Sequence, residues 1–234
     1  MVDFEMMHQL VDDGLLDELA AQAGSASRIG RLSFAPDMLF EALYERLQQR
    51  QVRSVLEFGC GRGTFARWLV QRDAHLEYLG VDRAPSAIAA AQRAVPQANF
   101  QVGDYRTFRT PPVGAVIFLD GLLTPLSVAR AQRFVSMLEP QGTLFIGATL
   151  LHDEYVAEFN RFCLALRTFG CDVTFEDWTD RFAGYALAMA ASWLNTRKWP
   201  AEVSQHFQSE ARDVVDAIGQ QRFTYVTVDA IRKL

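Results

Sequence analysis

Apolar positions along the chain change their spacing several times, and each change marks an element. Met6, Met7, Leu10, Leu15, Leu16 and Leu19 recur among acids at helical intervals, which predicts an amphipathic helix over 1–23. The stretch GSASRIG at 24–30 breaks the pattern. A second helix is predicted from near Ser33 through Met38, Leu39, Leu43 and Leu47, with Pro36 suited to its first turn. From 52 onward, short apolar runs alternate with helical patterns, the signature of a mostly parallel sheet. Strands are predicted near 52–58, 76–81, 99–103, 113–119, 143–146, 172–176 and 223–229. The run at 113–119 is nearly all apolar, as a strand buried on both faces must be. Helices are predicted over 64–72, 87–94, 126–138, 153–168, 181–196 and 201–218. Glu139-Pro140-Gln141-Gly142 reads as a turn ahead of the fifth strand.

The chemistry concentrates where the first strand meets its helix, in SVLEFGCGRGTFARWLV at 54–70. Gly59, Gly61 and Gly63 follow the run Val55-Leu56-Glu57-Phe58, and Phe65, Trp68 and Leu69 then share a helical face. Strand, glycine turn and helix in that order open a nucleotide-binding α/β unit. Glycines allow the sharp turn and leave room for a ligand where a Cβ would collide. Thr64 stands where a dinucleotide fingerprint places its third glycine, which disfavours a nicotinamide oxidoreductase. The second strand ends on Asp82, about where a βαβ unit carries its ribose-binding carboxylate. Glu57, an acid beside the loop, suits a ligand carrying ammonium and sulfonium charges better than one carrying a pyrophosphate.

These residues resemble the class I S-adenosylmethionine-dependent methyltransferases of small-molecule type, whose first motif, E/D-x-G-x-G-x-G, is matched by Glu57, Gly59, Gly61 and Gly63. The resemblance covers roughly 52–147. It implies a Rossmann-like three-layer α/β sandwich with a seven-stranded, mostly parallel sheet and an antiparallel last strand. The cofactor it implies is S-adenosyl-L-methionine, leaving as S-adenosyl-L-homocysteine. Its expected contacts are Glu57, Phe58, Gly59, Cys60, Gly61 and Gly63 around the methionine end. Asp82 is expected on the ribose hydroxyls, with Arg83 on the adenosine side. Gly103, Asp104 and Tyr105 are expected at the adenine, and Leu119 and Asp120 at the end of the fourth strand. Two positions depart from the family pattern: Val113-Gly114 where an acid commonly begins the fourth strand, and Glu139-Pro140-Gln141-Gly142 in place of K-P-G-G.

The expected reaction is methyl transfer to an N, O or C atom of a metabolite or natural-product intermediate. Such a displacement needs alignment and exclusion of water more than it needs a strong base. His152, just after the fifth strand, is the candidate base, with Asp120 as a second catalytic candidate. His152 serves equally as a capping residue beside Asp153. Asp177 and Thr179 form a D-x-T pattern that looks like that of many small-molecule methyltransferases. Trp178, Tyr185 and Trp193 are candidates for a substrate pocket, and core packing is the competing role for each.

One domain over 1–234 is expected: a helical cap at 1–50, whose helices serve equally as a cover for one sheet face, the cofactor core at 51–150 and a helical lid at 177–220. The competing readings are a cyclase or rearrangement enzyme that keeps the cofactor, and a silent binding subunit. A net charge of −5 without a Lys/Arg cluster disfavours nucleic acid as a partner. No apolar run is long enough to span a membrane. Cys60, Cys163 and Cys171 are scattered without metal-ligand spacing, and no metal is expected. The first residues lack the basic start and apolar block of a secretory leader, so a cytoplasmic location is expected, with a homodimer as an admissible assembly.

Overall fold

The computed structural model describes residues 37–119, 127–150, 153–179, 201–220, 222 and 224–234. The predicted helices at 1–23 and 181–196 lie outside them, as does the start of the helix near Ser33. Helix α1 (Asp37–Gln49) leads into strand β1 (Ser54–Phe58), α2 (Thr64–Val70), β2 (Glu77–Asp82), α3 (Pro85–Ala94) and β3 (Asn99–Val102). Then come β4 (Val113–Leu119), α4 (Val128–Ser136), β5 (Leu138–Leu150), α5 (Asp153–Thr168), β6 (Cys171–Asp177), α6 (Ala201–Gly219) and β7 (Thr224–Arg232). The seven strands form one sheet in the order β3-β2-β1-β4-β5-β7-β6. The strands β1 to β5 pair parallel to their neighbours. Strand β7 runs antiparallel to both β5 and β6.

Side chains alternate between two core layers, as the pleat of each strand requires. Val55, Ala115, Ile117, Phe145 and Tyr225 point to the layer shared with α1, α2 and α3. Leu56, Phe58, Val116, Phe118, Leu144 and Ile146 point to the layer under α4 and α5. The apolar run read in β4 is thus buried on both faces, from Gly114 to Leu119. At the departure from the family pattern, a Cβ on Gly114 would lie 3.2 Å from Val52 Cγ1 and 3.3 Å from the Ser54 carbonyl oxygen. The backbone N–H of Gly114 donates to Ser54 Oγ at 2.8 Å.

The turn read at 139–142 falls inside the bounds of β5. Val113 pairs with Leu138 and Ala115 with Thr143, so the ladder is interrupted and resumes in shifted register. Gln141 absorbs the irregularity at φ 65, a left-handed conformation.

Helix α1 is fixed to the sheet by polar bonds as well as by packing. Phe40 meets Phe65 at 5.1 Å and Trp68 at 5.7 Å between ring centroids, joining α1 to α2. Just past the helix, Arg50 donates to Thr143 Oγ1 at 2.8 Å and to Asp229 Oδ1 at 2.7 Å, with a second bond to Asp229 Oδ2. Thr143 Oγ1 also donates to Asp229 Oδ1 at 2.7 Å. Arg46 reaches Glu176 at 2.6 Å. A buried carboxylate in β7 therefore ties α1 to β5, and an exposed pair ties it to β6.

Candidate functional site

The carboxyl ends of β1, β2 and β4 meet in register, with Phe58 beside Val81 and Phe118. The chain leaves β1 through Gly59, Gly61 and Gly63 at φ 71, 51 and 74, all in the left-handed region that glycine occupies without a steric cost. Gly59 N donates to the Val81 carbonyl at 2.8 Å, which pins the start of the loop to β2. Gly61 N donates to Asp82 Oδ2 at 3.0 Å, and Ala84 N donates to Oδ1 at 3.0 Å. The side chain of Asp82 is thus held between the glycine loop and the start of α3. Gly103 N, in turn, donates to the Asp82 carbonyl at 2.8 Å and brings the end of β3 to the same place.

Glu57 lies beneath this loop at only 4% exposure. Its carboxylate accepts a bond from the Tyr78 hydroxyl on β2. Burial pushes its pKa up from 4.5 to about 7; the Tyr78 bond opposes the rise and the charge of Asp82 adds to it. Gly80, in register with Glu57, leaves space that Phe100 and Cys60 fill: a Cβ there would sit 2.7 Å from Phe100 Cδ1 and 2.9 Å from Cys60 Sγ. Cys60 is itself buried, and burial with the nearby Glu57 and Asp82 pushes its thiol well above the usual range. A thiol held in this way is not a nucleophile at neutral pH.

Asp104 follows β3 and is engaged by its own neighbour. Its Oδ1 accepts from Arg106 N at 2.8 Å, and the Arg106 guanidinium grips both oxygens. Arg106 holds the Asp104 carboxyl below its usual range, with a smaller contribution from Arg83. Tyr105 packs edge-on against Phe118 at 5.3 Å, and Arg133 Nε donates to its carbonyl at 2.8 Å. Phe58 turns its ring into the α4–α5 layer, 6.0 Å from Phe108, so it presents backbone to the loop. Leu119 ends β4 in the opposite layer.

Glu57, Cys60, the three glycines, Asp82, Gly103 and Asp104 are thus gathered at one edge of the sheet. Trp178 is buried in the α1–α2 layer; its indole N–H donates to Glu176 Oε2 at 3.0 Å and its backbone N–H to the Tyr225 carbonyl at 2.8 Å. The D-x-T pattern closes a turn here: Thr179 N donates to Asp177 Oδ1 at 2.8 Å, and Thr179 Oγ1 accepts from Tyr225 N at 3.1 Å. Asp120, His152, Tyr185 and Trp193 lie outside the described residues. Among the described residues, no three His, Cys, Asp or Glu side chains gather as a metal site, and no helix is long and apolar enough to cross a membrane.

Sequence reasoning missed Tyr78 and Arg106. The signal for Tyr78 was its place two residues before Gly80 on the strand paired with β1, which puts it on the same face as Glu57. The signal for Arg106 was its position two residues after Asp104, within reach of an Asx-type turn.

Residues 55–142 match a family model described as Methyltransferase domain. Trans-aconitate 2-methyltransferase from Escherichia coli O139:H28 (strain E24377A / ETEC) is 30% identical over 106 residues, 44% of this chain and 42% of that one. The chain therefore matches less than half the length of this curated relative. The [4+2]-cyclase SpnF superposes with a TM-score of 0.72 at 17% identity, over 99% of this chain and 96% of that one. Phosphoethanolamine N-methyltransferase 2 of Haemonchus contortus, solved with phosphomonomethylethanolamine and S-adenosylhomocysteine, gives a TM-score of 0.71 at 17% identity, over 100% of this chain and 61% of that one. At such identities the two structures establish the fold alone, and that fold is carried both by a named methyltransferase and by a named cyclase.

Proposed function

We propose that this chain, whose residues 55–142 match the methyltransferase-domain family model and whose seven strands run in the order β3-β2-β1-β4-β5-β7-β6, is a class I S-adenosylmethionine-dependent enzyme that transfers a methyl group from that cofactor to an N, O or C atom of a small molecule. One observation carries the reading: the bond from Gly61 N to Asp82 Oδ2, closed over the buried acid Glu57. The burial of Glu57 and the charge of Asp82 both work against an ionised Glu57. A cation entering the loop reverses both effects, whereas the pyrophosphate of a dinucleotide meets two carboxylates. The donor set therefore fits a ligand with an ammonium at one end and a ribose at the other.

When bound, the cofactor supplies a methyl group already activated by a sulfonium charge. Glu57 would hold the ammonium, and the loop of Gly59, Gly61 and Gly63 would let the methionine end approach the backbone. Asp82 would take the ribose hydroxyls, each oxygen keeping a lone pair beyond its present bond. Asp104 would accept from the adenine amine while Arg106 holds it ionised and oriented. Arg83, Gly103, Tyr105 and Leu119 would complete the wall. The work left to the protein is to align donor and acceptor and to exclude water. In this reading His152 and Asp120 are the catalytic candidates and Tyr185 and Trp193 are proposed for the acceptor pocket, with 177–220 as the proposed lid. Trp178, buried in the α1–α2 layer, takes the packing role instead. Helix α1 covers the sheet, which leaves a capping role only to the part of 1–50 that precedes it.

Asp82→Ala is expected to weaken binding of S-adenosylmethionine by about 1–3 kcal/mol, the scale of losing hydrogen bonds to a charged group. Calorimetry on the folded variant measures this, and an unchanged affinity removes the ribose assignment. A panel of small carboxylates, amines and phenols, followed by S-adenosylhomocysteine release, then tests the reaction. Turnover with one class names the acceptor atom. Cofactor binding with a substrate converted but no S-adenosylhomocysteine formed replaces methyl transfer by a rearrangement.

A further inference from the structure

Parallel pairing sets Glu57 opposite Gly80 and Val55 opposite Tyr78, so Tyr78 lies one pleat below Glu57 on the same face. Both side chains are only 4% exposed. Their bond runs from the Tyr78 hydroxyl to Glu57 Oε2. The tyrosine ring is held edge-on to Phe100 at 5.8 Å, and Phe100 fills the space that Gly80 leaves open. The hydroxyl is thus aimed by packing rather than by chance, against the apolar side chains around it. Glycine at 80 is a condition of the arrangement, since a Cβ there would push Phe100 and Cys60 apart.

We propose that Tyr78 is a positioning residue for cofactor binding: its hydroxyl fixes Glu57 Oε2 and leaves Oε1 to meet the ammonium of the ligand. The inference rests on the methyltransferase reading above. It assigns a role to a side chain on β2 that does not itself touch the cofactor. The groups facing Glu57 act in opposite directions. Asp82 on β2 disfavours its charge and the Tyr78 bond favours it, while burial gives the largest penalty. The buried Cys60 thiol on the loop stays neutral at ordinary pH and adds no charge. From the neighbouring strand β4, the residue in register is the apolar Ile117.

The ligand needs an ionised Glu57, so affinity rises with pH through the Glu57 titration. Deleting the Tyr78 hydroxyl removes the one bond that lowers this pKa, and the rise moves to higher pH. The test is calorimetric titration of S-adenosylmethionine into wild type, Tyr78→Phe and Glu57→Gln between pH 6 and 9. Phenylalanine keeps the ring against Phe100, and circular dichroism confirms that each variant is folded. For Tyr78→Phe the expected midpoint lies about one pH unit above that of wild type, with about tenfold weaker binding near pH 6.5 and near-equal binding at pH 9. Glu57→Gln is expected to bind weakly with a flat profile. A Tyr78→Phe profile that superposes on wild type, or that is lowered equally at every pH, overturns the positioning role and leaves the cofactor assignment standing. Absence of binding by wild type at every pH instead overturns the cofactor assignment, and the role of Tyr78 falls with it.

Discussion

Glu57→Gln is expected to stabilise the ligand-free protein while removing most of its affinity for S-adenosylmethionine. The folded-state pKa of Glu57, about 7, lies above the ordinary glutamate value of 4.5. An acid with a raised folded pKa holds its proton more tightly in the folded chain, so folding is penalised as pH rises. The penalty is absent below pH 4.5, grows between 4.5 and 7, and is complete above 7. A shift of this size corresponds to about 3 kcal/mol at pH 8. Glutamine keeps the shape and can accept the Tyr78 bond, but its amide must also be buried, which leaves a net gain of roughly 2 kcal/mol. Thermal or urea unfolding at pH 8 and pH 4.5 measures it: the variant should exceed wild type at the higher pH and lose that advantage at the lower. Cofactor affinity should fall about tenfold to a hundredfold at pH 8, the scale of a lost charge-assisted bond. Stability unchanged at both pH values would mean that Glu57 pays no desolvation cost and has no need of a cation.

Asp229→Ala is expected to have the opposite effect, destabilising the fold by about 3 kcal/mol. Asp229 accepts two bonds from Arg50 and one from Thr143. Removing the acid leaves the Arg50 guanidinium and the Thr143 hydroxyl to find other partners at the joint of α1, β5 and β7, while Arg46, 3.6 Å from the same carboxylate, keeps Glu176. Arg50 is 24% exposed and can turn part of its charge to water, which places the loss at the low end of the range for broken buried pairs. Urea titration should show a lower midpoint with an unchanged slope if only stability is altered. A companion variant, Arg50→Met with Asp229→Leu, should recover much of the loss, because neither charge is then left alone. Equal stability of Asp229→Ala and wild type would remove this anchor from the account. The site should feel the change only indirectly, since α1 packs through Phe40 on the helix that follows the glycine loop.

The parts of the fold that were legible in the sequence are those with a local cause. The apolar run at 113–119 has no polar residue to face water, so it could only be a strand covered on both sides. The glycine loop declared itself because three residues in the left-handed region, two apart, leave few alternatives to glycine. The start of β5 was not legible: Glu139-Pro140-Gln141-Gly142 has turn chemistry, and only pairing with β4 reveals that the ladder begins on the far side, at Leu138. Arg50 and Asp229 are 179 residues apart, and no local pattern joins them. Tyr78 illustrates the same limit inside the site. Its strand alone gives its face, but its meeting with Glu57 depends on the register between β1 and β2. Arg106 lay within two residues of a singled-out acid, and its grip on Asp104 depends on the turn that the backbone adopts there.

The central claim is that an acid-flanked glycine loop, closed by Asp82, selects S-adenosylmethionine over a dinucleotide. Calorimetric titration of the purified protein at pH 8 with S-adenosylmethionine, S-adenosylhomocysteine and NAD tests it most directly. Micromolar binding of the first two ligands, roughly 8 kcal/mol of binding free energy, and none of the third is the expected result. Binding of NAD, or of none of the three, would contradict it.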